Sequence, residues 1–65
     1  MRTLTIRIRM DNEAFSDGNR NREAARILAM LADRIACWPV LGLGTQGRLI
    51  DLNGQTCGDY AVTEG

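Results

Sequence analysis

A chain of 65 residues with no histidine, two cysteines and zero formal net charge makes one small domain, residues 1–65, and excludes several kinds of chemistry. It offers no ligand set for a metal and no apolar run of membrane-spanning length, so no metal, no cofactor and no membrane partner are expected. Neutral charge withholds the bulk attraction to nucleic acid, and a chain this small buries only roughly 60% of its unfolded surface, so self-association is the expected supplement to a thin core.

The run RTLTIRIRM alternates strictly, with Leu4, Ile6, Ile8 and Met10 on one side and Thr3, Thr5, Arg7 and Arg9 on the other. That period of two marks a strand with one buried face. DNEAFSDGN then collects turn formers around Phe15, the one residue there that wants cover. From Asn19 or Asn21, either of which can cap a helix, Ala24, Ile27, Leu28, Leu31, Ile35 and Trp38 recur at spacings of three and four and form one apolar stripe. Arg22, Glu23, Arg26 and Asp33 fall on the outer face of that helix, with Met30 at the flank. Pro39 ends it, because proline lacks an N–H and disfavours helical geometry at Trp38.

VLGLGTQG follows as a connection, and RLIDLNGQTCGDYAV reads as two short strands around Asn53-Gly54. A two-residue type I′ hairpin there sets Leu52 opposite Gln55, Ile50 opposite Cys57 and Arg48 opposite Asp59. Ile50, Leu52 and Cys57 then share one face, Leu49 and Tyr60 the other, and residues 63–65 fray. The expected architecture is therefore α+β in the order β-α-β-β: a three-stranded sheet with one helix packed on one face. One helix leaves the opposite face open, carrying Thr3, Thr5, Arg7, Arg9, Leu49 and Tyr60, and leaves an edge strand unpaired. Both features point to a homodimer or another protein partner. The first strand can neighbour either of the other two.

GLGTQG, Gly42 to Gly47, matches the dinucleotide pattern G-x-G-x-x-G, but it follows a helix and leads into a strand. In a dinucleotide fold the glycines follow a strand and open a helix whose N-terminus holds the phosphates. Here that order is reversed, so the segment reads as a loop. Its apolar content is its unusual feature. Trp38, Val40, Leu41 and Leu43 either fold back over the end of the core or form a docking patch anchored by the tryptophan.

Catalysis is not expected. Histidine and lysine are absent, removing the commonest general base and Schiff-base chemistry. Asp51, Asp59 and Glu64 show no sign of a paired acid and base, and so short a chain has little room for a small-molecule pocket. No signal peptide is read at the start, so the cytoplasm is the expected compartment, and Cys37 and Cys57 read as small buried hydrophobes rather than a disulfide. The favoured function is a protein-binding module using Arg7, Arg9, Trp38, Leu43, Leu49 and Tyr60. The alternatives are an accessory protein that binds nucleic acid weakly through Arg7, Arg9, Arg20, Arg22 and Arg26, and a purely structural accessory protein.

TIRIRMDNEAF, ARILAMLADRI and LIDLNGQTCGDY together resemble a group of very small phage and prophage proteins of unknown function. These share an alternating first strand, a helix with an ARIL…LADR core and a closing LxDxNGxxxG hairpin. The segment CWPVLGLGTQG departs from that group, where a short polar connection is the rule. The resemblance implies a phage-borne, catalytically bare binder in the host cytoplasm, of the kind that includes inhibitors of host defence such as anti-CRISPR proteins. It brings no catalytic residues to transfer.

Overall fold

The computed structural model describes residues 1–16 and 18–65; Asp17, part of the expected turn-rich segment, lies outside the described residues. The order is β1 (Arg2–Ile8), a short 3-10 turn at Glu13–Phe15, α1 (Arg20–Cys37), β2 (Gln46–Ile50) and β3 (Thr56–Glu64). This is the expected small α+β fold, one helix on a three-stranded sheet. The sheet order is β1-β3-β2 with both ladders antiparallel. β3 takes the centre, and both β1 and β2 are edges. No helix among the described residues is long and apolar enough to cross a membrane.

The alternation in β1 translates directly into pairing. Leu4 faces Val62, Ile6 faces Tyr60 and Ile8 faces Gly58, so their side chains share the inner side of the sheet. Gly47 and Leu49 extend those rows onto β2. α1 lies over this side, and Ile27 and Leu31 pack with Phe15, Leu49, Cys57 and Tyr60 in one buried cluster. Phe15 has the cover it requires. The helix ends as its sequence dictates, with Trp38 extended at ψ 140° ahead of Pro39.

The closing hairpin departs from the expected one by a single residue, with large consequences. Arg48 does face Asp59, but the Asp51 amide bonds to the Gln55 carbonyl, leaving Leu52, Asn53 and Gly54 as a three-residue loop. Gly54 takes the left-handed conformation, φ +81°, that such a loop requires. The tip register is thus one residue out of step with the base. A bulge between Leu49 and Ile50 absorbs the difference, and Cys57 is the extra residue on β3. Cys57 consequently turns inward beside Leu49, its thiol 3.5 Å from the Leu49 carbonyl.

Four expectations are corrected, the first two by that bulge. Leu49 and Tyr60 are buried on the helix side, not displayed on the open face; Ile50 and Leu52, expected to lie inward with Cys57, are exposed. Residues 63–65 do not fray: Thr63 and Glu64 pair with Thr3 and Arg2, and the Gly65 amide bonds to the Met1 carbonyl. Cys37 is exposed, and only Cys57 behaves as a buried hydrophobe; both are free thiols.

The helix is also turned relative to its expected stripe. The line buried deepest is Glu23, Ile27 and Leu31, with Ala24, Ile35 and Trp38 at its margins, while Leu28 is exposed. Glu23, expected on the outer face, is 4% exposed. Glu23 turns inward to a backbone partner, the Leu52 amide in the hairpin loop.

Candidate functional site

A buried polar node ties the helix, the segment after β1 and the hairpin loop together. Asp51 accepts bonds from the amides of Asn53 and Gln55 through Oδ1, both 2.9 Å, and from Asn12 Nδ2 through Oδ2, 2.8 Å. Glu23 Oε2 accepts the Leu52 amide at 2.8 Å, and Arg26 grips both oxygens of Glu23 at 2.8 and 2.7 Å. The Arg26 guanidinium, with help from the Leu52 amide, holds the Glu23 carboxyl below its usual range against the opposing effect of burial. The Gln55 amide, followed by Asn12 and Asn53, does the same for Asp51. Among the described residues no buried side-chain nitrogen or oxygen lacks a partner. These carboxylates act as ionised acceptors that staple backbone. Neither is held protonated for proton donation.

Part of this node has a local signature. An aspartate opening a turn that contains Asn-Gly bonds naturally to the amides ahead of it, and Glu23 to Arg26 is an i,i+3 pair on one helix. The links that matter most, Asn12 to Asp51 and Glu23 to Leu52, span 39 and 29 residues. Nothing local announces those.

The six residues assigned to partner binding are not brought into one place. Tyr60 lies inside, its ring 5.9 Å from that of Trp38 and over Gly47, where a Cβ would collide with the phenol. Trp38 is half-buried against the core. Its role is to close one end of the inner side together with Tyr60. Beyond it the connection turns outward: Val40 is 71% and Leu43 49% exposed, with Leu41 also exposed. Of the four apolar residues in that segment, the tryptophan folds back and the aliphatic three do not.

The reverse side of the sheet is polar. Arg7, Asp59 and Arg48 form one row across the three strands, and Thr5, Ala61 and Gln46 form the next. With Thr63 these residues line an open trough of about 750 Å³, a volume that chain length alone did not foreshadow. The apolar docking side chains expected on this face, Leu49 and Tyr60, are on the other. Arg9 is exposed just past the end of β1.

The arginines assigned to nucleic acid are likewise divided. Arg26 is committed to Glu23. Arg20 and Arg22 are exposed at the start of α1, on the layer opposite Arg7. Arg48, which was not among them, is the residue that joins Arg7 on the reverse face.

Among the described residues no group of His, Cys, Asp and Glu side chains could hold a metal ion. Comparison of the chain with protein-family models, with curated proteins and with solved structures finds no match.

Proposed function

We propose that this protein is a non-catalytic binding module that works by occupying a surface on another protein. The observation that carries the reading is the exposure of Val40, Leu41 and Leu43, close together in the connection between α1 and β2, while the neighbouring Trp38 packs against the core. Large aliphatic side chains grouped in the open mark a contact surface. The engaged state of Glu23 and Asp51 agrees with a non-catalytic role, since both are consumed in holding the fold. In its narrowest form the proposal follows the resemblance to small phage and prophage proteins: a stoichiometric inhibitor of a host defence system, acting in the host cytoplasm.

The test compares the wild type with a Val40→Asp, Leu43→Asp double variant in affinity capture from host cells. Both positions are exposed, so the variant is expected to keep its melting temperature. Wild type should retain a partner through a wash at about 0.5 M salt, where exposed ionic contacts are screened, and the variant should lose it at least tenfold. Equal capture by both would defeat the patch as the docking surface. A salt-sensitive band shift with nucleic acid, abolished by Arg7→Ala with Arg48→Ala, would favour the arginine face instead.

A further inference from the structure

From the free edge of β1 we infer a second binding surface, one that takes another copy of this chain and continues the sheet across a two-fold axis at Thr5. The site is separate from the aliphatic connection, which lies beyond β3 on the β2 side of the sheet.

Two edges are available, and they differ. β2 has five residues, carries Gly47 and ends in the bulge at Leu49/Ile50. Short length and a bulge are the usual devices that protect an edge from pairing. β1 has seven residues in unbroken register with β3, no proline and no bulge. Flanking bonds show which way its backbone points: the Gly65 amide meets the Met1 carbonyl, and the Arg9 amide meets the Cys57 carbonyl. Odd-numbered residues therefore turn their amides and carbonyls toward β3, and Arg2, Leu4, Ile6 and Ile8 turn theirs outward.

The side chains point to the same partner. The helix covers the β2 and β3 part of the inner side, so Leu4 and Ile6 each remain 36% exposed. Turning a second copy about Thr5, the midpoint of the strand, sets Leu4 against Ile6 and Ile6 against Leu4, with outward amides facing outward carbonyls. About eight backbone bonds form along the ladder. On the reverse side Thr5 meets Thr5 and Arg7 meets Thr3, while Arg2 meets Ile8; no arginine faces another. Paired threonines and paired aliphatics are favourable cross-strand neighbours, and opposed like charges are not. Moving the axis to Arg7 would oppose that arginine to itself. The sequence of β1 is thus complementary to its own reverse, and Leu4 and Ile6 of both copies fill the strip between the two helices.

Light scattering across a dilution series is expected to show a mass rising to twice that of the monomer. Thr5→Arg, at an exposed position on the reverse face, should remain monomeric at every concentration and match the wild type's melting temperature at dilutions where the wild type is itself monomeric. In a Cys37→Ser background, Thr5→Cys should oxidise to a disulfide-linked dimer, because residues opposed without mutual backbone bonds have Cα atoms about 4.5 Å apart, within disulfide range. Thr3→Cys, set against Arg7, should cross-link at least tenfold more slowly. A monomeric mass throughout, or equal cross-linking by the two variants, would overturn the assignment. Because Val40 and Leu43 are untouched, partner capture by a Thr5→Arg monomer would leave the proposed function standing.

Discussion

Replacing Gly58 with alanine is expected to remove about 3 kcal/mol of stability, a large share of the total for a domain of this length. Gly58 is the third residue of β3, flanked by Ile8 of β1 and Leu49 of β2. A Cβ built there overlaps the Arg7 carbonyl. That obstacle is backbone, held in a ladder on both sides of the contact, and cannot swing away as a side chain could. Relief requires β1 to lift from β3, which breaks the bonds joining the two terminal segments of the chain. The midpoint of urea unfolding reads the effect directly. A variant within about 0.5 kcal/mol of wild type would mean that β1 and β3 do not approach this closely.

The second large effect is expected at Asp51. Truncation to alanine strips the buried acceptor from the amides of Asn53 and Gln55 and from Asn12, three part-buried bonds. Losing several charge-assisted bonds at the hairpin tip should lower the melting temperature by on the order of 10 °C. A pH dependence accompanies it. Both Asp51 and Glu23 have carboxyls held below their ordinary range in the folded state. The stability they contribute is complete above the ordinary carboxylate range, about pH 4 to 4.5, and is lost as pH falls through their lowered values. Wild type should therefore lose melting temperature steeply below about pH 4. Asp51→Asn, less stable at neutral pH because its amide nitrogen meets the Asn12 amide, should show a shallower acid slope. Parallel slopes for the two proteins would remove Asp51 from the acid response.

Local pattern carried much of the architecture. Strict alternation placed Leu4, Ile6 and Ile8 on the inner side, the three-four spacing placed Ile27 and Leu31 in the core, and Pro39 placed the end of the helix. Even the facing of Arg48 and Asp59 was legible. What local pattern could not reveal was the extra residue at Cys57. Alternation propagates parity along a strand, so an error of one residue at the hairpin tip reverses the side assigned to every residue around it. Leu49 and Tyr60 were thereby placed outside, and with them went the apolar half of the expected open face. Glu23 failed for another reason. A charged residue reads as solvated unless its partner is known, and the Leu52 amide is 29 residues away. Gly58 falls within the second strand-like run of the sequence, where nothing local marks it; the structure makes it a point of close approach between β3 and β1. The exposed aliphatic groups lie on the connection and along β1 rather than across the reverse face, where the sequence put Leu49 and Tyr60.

The distribution of apolar side chains between inside and outside can be read for each methyl group by NMR, using a soluble paramagnetic agent that broadens only what solvent reaches. Signals of Val40 and Leu43 should be strongly attenuated at concentrations that leave Ile27, Leu31 and Leu49 sharp. Attenuation of Leu49 together with protection of Val40 and Leu43 would contradict the account, for the connection would then be the lid of the core and β2 would present its other side.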